Sequence, residues 1–213
     1  MTGVDFGKAQ RCADEILHET RLNRERAPDA VLVARRFGVR VKKVARHALR
    51  LTPASAVHLE SGWLIAVRED TAVATAQFCI AHEVLHVACR RWKIVPEDWE
   101  GFANAGAAAL LVPSGCLQEK WHQHRNVRKT FAAWPHCPPT ATTLRLGECG
   151  IAPTWITQGD EVRYRRAESS PPEVTSIGSE AARRGQATRP GLRATRLPDA
   201  PRRAAVVGEA SVA

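Results

Sequence analysis

Apolar positions recur at helical spacing over residues 5–21 and 29–37, the second stretch through Val31, Leu32, Ala34 and Phe37, with Gly38 as a natural stop. Val39, Val41 and Val44 then alternate with Arg40 and other basic neighbours, the period of two that a half-buried or edge strand requires. Residues 56–59, a Glu60-Ser61-Gly62 turn and the apolar run over 63–67 read as a hairpin with a well-buried second strand. Two longer helical patterns cover 72–91 and 97–112, the second stopped by Pro113, which cannot continue a helix. Further helices are expected around 117–133 and 141–146. A last hairpin, 154–157 with 161–165 around Gly159-Asp160, closes the pattern. Strands segregated from helices imply an α+β fold rather than a doubly wound sheet.

Beyond Tyr164 the chain has no aromatic residue, and Ser169-Ser170-Pro171-Pro172, Gly178, Gly185, Pro190-Gly191, Pro198 and Pro201 interrupt a stretch rich in Ala, Arg and Ser. Such a composition buries too little apolar area to offset the entropy of ordering it. The expectation is therefore one folded domain over residues 1–166 and a disordered tail over residues 167–213.

Composition adds little to that outline until charge is considered. The formal net charge of +9 favours acidic partners such as nucleic acid. Only +2 of it falls beyond residue 166, where seven arginines face five acids, so no basic arm is marked. Lys42-Lys43, Arg90-Arg91-Trp92-Lys93 and residues 125–129 are candidate patches for such a contact, and solvated faces explain them equally well. A helix-turn-helix over 117–146 would be interrupted by Pro135, Pro138 and Pro139. The first residues lack the apolar run of a signal peptide, and no stretch approaches the roughly 18 apolar residues of a membrane span. A cytoplasmic protein with no membrane partner is expected. Six cysteines without a CxxC pair suit reduced thiols.

The chemically informative stretch is residues 78–86, Phe-Cys-Ile-Ala-His-Glu-Val-Leu-His. On a helix advancing about 100° per residue, His82 and His86 stack about 40° apart on one face, so two imidazoles converge on one point. Glu83 sits one step round, where a carboxylate can take the proton of an attacking water instead of ligating. Phe78, Ala81, Leu85 and Ala88 supply the apolar face that seats this helix. Zinc hydrolysis needs a third protein ligand and an open position. His86 is followed by Val87-Ala88-Cys89-Arg90-Arg91-Trp92, which has neither the glycine nor the third histidine of the metzincins. Glu100 is the first choice, because it shares a face with Asn104 on a helix whose small residues allow close approach. Glu97 is the second. Cys89, on the same helical face as His82 and His86, would instead complete a site of structural character.

HEVLH followed by Glu100, Ala103-Asn104 and the run over 107–113 (Ala-Ala-Ala-Leu-Leu-Val-Pro) resembles the ImmA/IrrE family of metallo-endopeptidases, whose pattern reads AHExxH, then ExxAN, then FAAxLLMP. The resemblance spans roughly residues 28–117. Gly106 stands where that family usually has an aromatic residue. The resemblance implies a small zincin-like, gluzincin-type domain with an antiparallel sheet packed on the HExxH helix and on a second, ligand-bearing helix. It implies Zn2+ on His82, His86 and Glu100, with Glu83 as general base. It further implies a specific intracellular protein substrate, such as a helix-turn-helix repressor. An edge strand near residues 63–67 could hold that substrate extended by strand addition. His58, His122, His124 and Tyr164 are candidate transition-state donors, although no spacing ties them to the site. The competing expectation is a non-enzymatic regulator that binds a repressor, toxin or DNA through its basic surface.

Overall fold

The computed structural model describes residues 4–23, 28–124, 126–158, 161–166, 173–184, 186–189, 192–197 and 200–208. These form two compact units, residues 1–113 and 114–213. Both mix helices with sheet, and the chain is α+β.

In the first unit, α1 (Phe6–Glu19) is capped by the Asp5 carboxylate, which accepts from the Lys8 amide, and it buries Ala9, Cys12, Ala13, Ile16 and Leu17 at helical spacing. Asp29 caps α2 (Ala30–Arg36) in the same way. Three strands follow: β1 (Arg40–Val44), β2 (Ala54–Leu59) and β3 (Gly62–Arg68). Their order is β1-β3-β2, with β1 parallel and β2 antiparallel to β3. The sheet is thus mixed rather than antiparallel as expected. The alternation of apolar residues marks a strand but not its partner, and β1 reaches β3 only because the chain between them detours through β2. The most buried strand, β3, is central and cannot accept a substrate strand; the free edge on the hairpin side belongs to β2.

Helix α3 (Val73–Arg91) lies against β2, β3 and α2. No side chain caps its start, but Gln77 in its second turn accepts from the Ala30 amide at 2.5 Å and donates to Asp29 at 3.1 Å, which ties it to the beginning of α2. At the other end Arg91 pairs with Glu19 at 3.0 Å, donates to the Phe37 carbonyl at 2.9 Å and lies over the Phe37 ring. Helix α4 (Trp99–Leu111), capped by Asp98, packs on α3 and α1 and buries five alanines and Gly106 together with Phe102, Leu110 and Leu111. A Cβ on Gly106 would sit 2.6 Å from Leu85 Cδ1, so a larger residue here would force Leu85 to shift. The missing side chain is what lets the two helices touch.

The second unit begins with α5 (Ser114–His124), α6 (Val127–Ala132) and α7 (Pro139–Glu148). Strands β4 (Thr154–Gln158) and β5 (Glu161–Arg166) pair antiparallel, as the last hairpin was expected to, while its Gly159-Asp160 turn lies outside the described residues. They belong to a five-stranded antiparallel sheet of order β5-β4-β8-β7-β6, completed by β6 (Gln186–Arg189), β7 (Leu192–Leu197) and β8 (Ala200–Gly208). Helix α8 (Glu173–Arg184) packs on this sheet.

The expected disordered tail over residues 167–213 is therefore corrected: its described part forms a helix and three strands. Val174, Ile177 and Ala181 make a helical stripe, and Leu192, Ala194, Ala204 and Val206 face it at strand period, all around Trp155 of β4. The stretch lacks its own aromatic, but β4 supplies one from upstream. Ile177→Ala in the full chain should lower unfolding stability by about 2–5 kcal/mol, the cost of a buried aliphatic truncation. Urea titration would check this, whereas a disordered tail would leave the midpoint unmoved.

Candidate metal centre

The HExxH segment falls in the middle of α3, where Ala81, Val84, Leu85 and Ala88 are buried and hold the helix in the core. His82 and His86 consequently project from one fixed face at its rim, with ring centroids 4.7 Å apart. Their Nε2 atoms are 3.0 Å apart. Glu100, in the first turn of α4, reaches both: Oε2 lies 3.4 Å from His82 Nε2 and Oε1 lies 3.4 Å from His86 Nε2. A helix N-terminus also favours a carboxylate electrostatically.

These three residues form a group that could hold a metal ion. The fit can be judged from the donor spacing: tetrahedral bonds of about 2.0–2.1 Å place neighbouring donors roughly 3.3 Å apart, close to the 3.0 Å between the two imidazole nitrogens, while each imidazole lies 3.4 Å from a different oxygen of Glu100. The donor chemistry fits as well. Asn104, one turn beyond Glu100, has its Oδ1 2.9 Å from His82 Nδ1, so Nδ1–H donates to the amide oxygen and the lone pair stays on Nε2. Burial, then the neighbouring His82, holds His86 below the ordinary imidazole range, which favours the neutral ring that metals bind. Trp99 stacks on that ring with centroids 6.3 Å apart. The Glu100 side chain is 74% exposed while those of His82 and His86 are 15% and 20% exposed, so the group is backed by core and open towards solvent.

Glu83 is beside the group but not in it. Its Oε2 accepts the Ala56 amide of β2 at 2.9 Å, which anchors the carboxylate to the sheet, and it lines the same cleft as the three donors. That cleft, about 450 Å³, is floored by His82, Glu83, His86 and Glu100 and walled by residues 52–56, Trp63, Phe78 and Arg90. Cys79 also lines it, but burial, with the Glu83 charge, pushes its thiol up to about 11, so it is no thiolate nucleophile near neutral pH.

The alternatives for the third donor separate cleanly. Cys89 is buried and accepts a hydrogen bond from the Cys12 thiol of α1, on the core side of α3. Glu97 is exposed ahead of α4 and outside the group. None of the six cysteines forms a disulfide. Of the candidate donors, His58 packs on Trp63 across the β2–β3 ladder, with centroids 4.7 Å apart, and does not line the cleft. His122 and His124 belong to the second unit, and the Tyr164 side chain lies outside the described residues. Asn104 as the orienter of His82, Trp99 against His86, the Ala56 amide and the Arg90–Trp63 wall were not foreseen. Only Asn104 carried a signal, its i+4 relation to Glu100. Asn104→Ala should weaken zinc binding about 10- to 100-fold with little change in helix content, as measured by competition with a chelating dye.

No family model and no curated protein matches the chain. Among solved structures, a Mycobacterium tuberculosis transcriptional regulator superposes with a TM-score of 0.64 at 14% sequence identity, covering 95% of this chain and 75% of that one. At that identity the likeness shows a shared fold alone.

Proposed function

We propose that the protein is a zinc-dependent endopeptidase that hydrolyses a peptide bond in a specific intracellular protein, with His82, His86 and Glu100 as metal ligands and Glu83 as general base. The observation that carries this reading is the pairing of three mutually spaced donors with a second carboxylate, Glu83, held beside them by a backbone amide. Zinc bound there would act as a Lewis acid on a carbonyl and lower the pKa of a water. The protein's own part is to hold and move protons. Glu83 Oε2 is engaged by Ala56, so Oε1 takes the proton of the attacking water and returns it to the leaving amine. Asn104 keeps His82 in the ligating tautomer. Residues 52–56, at the free-edge strand β2, line the cleft, and an extended peptide can add to that edge through its backbone. This favours a polypeptide over a compact metabolite as substrate. The resemblance to ImmA/IrrE proteins extends the proposal to a helix-turn-helix repressor as target and to work in the cytoplasm; no helix among the described residues is long and apolar enough to cross a membrane.

A second reading, a non-enzymatic regulator, draws on the +9 charge and on the name of the structural neighbour. The strongest of its candidate basic patches is divided in the fold: Arg91 turns to Glu19 and Phe37, Trp92 packs edge-on to Phe37, and Arg90 faces the cleft. Helix α7 has no exposed residue, so it offers no free face to a nucleic-acid groove. The peptidase reading uses more of the observed geometry.

Zinc-loaded full-chain protein incubated with a proteome-derived peptide library should generate cleavage products detectable by mass spectrometry, and Glu83→Gln should retain zinc yet lower their yield by at least about a thousandfold. Undiminished cleavage by Glu83→Gln, or none by the zinc-loaded wild type, would contradict the assignment.

A further inference from the structure

The cleft has one charged wall that the proposed chemistry leaves unused. Arg90 follows His86 by four residues on α3, so it projects on the same face about 6 Å further along the helix. Its guanidinium lies 5.7 Å from the centroid of Trp63 on β3, a cation–π arrangement that limits its wandering. It makes no ion pair among the described residues, unlike its neighbour Arg91, and it lines the cleft. The two cleft carboxylates, Glu83 and Glu100, balance a divalent ion, which leaves Arg90 as an uncompensated cation.

The strand supplies a separate ruler that starts from Glu83. Trp63 sits across the ladder from His58, which is two residues beyond Ala56 on β2, and Ala56 marks the level of Glu83. Two strand residues span about 6.6–6.8 Å. A peptide lying along β2 with its scissile bond at Glu83 would therefore bring a side chain two residues away to the Arg90–Trp63 wall. Guanidinium recognises carboxylate through paired, charge-assisted hydrogen bonds.

Building on the metallopeptidase reading above, we infer that Arg90, backed by Trp63, is a specificity residue that selects substrates with an acidic side chain two residues from the scissile bond. The substrate class is an extended peptide segment carrying Asp or Glu at that place. Arg90 touches substrate only; it takes no part in proton transfer.

The test uses zinc-loaded full-chain protein and hydroxamate peptides as metal-directed probes, in two series that extend from the hydroxamate towards either peptide terminus. Within each series the second residue is Glu, Gln or Lys, and affinity is read by calorimetry. In one series the Glu probe should bind wild type about five- to tenfold more tightly than the Gln probe, the scale of a partly exposed charged hydrogen bond. Arg90→Ala should abolish the difference, and Arg90→Glu should reverse it in favour of the Lys probe. Equal affinity for Glu and Gln probes in both series, with the hydroxamates bound, would overturn the role of Arg90 while leaving the metal centre standing. Failure of zinc-loaded protein to bind any hydroxamate would remove the peptidase reading and this inference with it.

Discussion

The first unit depends on how closely α3 and α4 approach. His82 and His86 are placed by one helix, and Glu100 by another that reaches them only because Gly106 leaves Leu85 room and the neighbouring residues are alanines. The same contact sets Asn104 against His82. Close packing of small residues here substitutes for covalent or loop-based positioning, so the three donors inherit the rigidity of a core. The α3 helix is itself fixed at both ends, by Gln77 to the start of α2 and by Arg91 to α1 and Phe37. A group of three donors within 4.8 Å of one another follows from these constraints.

The other wall of the cleft comes from the sheet. Because β3 pairs on both sides, it is β2 that borders the cleft, and its Ala56 amide reaches back to Glu83. The hydrogen bond gives Glu83 a position distinct from that of Glu100, and on the proposed reading this separates a proton carrier from a ligand in two residues of the same acidic chemistry. Trp63 and Arg90 then end the cleft where β3 meets the last turn of α3.

Much of this was legible in the sequence because it rests on local periodicity. The four-residue spacing of His82 and His86 dictates a shared helical face, and Glu100 with Asn104 repeats that spacing on a helix stopped by Pro113. What escaped depends on partners distant in the chain. The parallel pairing of β1 with β3 leaves no mark in either strand. The ordering of α8 and β6 to β8 draws on Trp155 and on β4, whose Thr154 pairs with Val207 more than fifty residues later. Alanine and valine at strand period, as in Ala204 and Val206, bury well once such a neighbour exists, although composition alone reads them as weak. The direction taken by Arg90, as opposed to Arg91, follows from helix packing and not from the basic run in which both occur.

X-ray absorption at the zinc edge of the full chain, with metal stoichiometry measured on the same sample, tests the metal centre most directly. One zinc per chain with nitrogen and oxygen neighbours at about 2.0–2.1 Å, including two imidazoles, is the predicted result. A sulfur neighbour at about 2.3 Å, or the absence of stoichiometric zinc, would contradict a centre built from His82, His86 and Glu100.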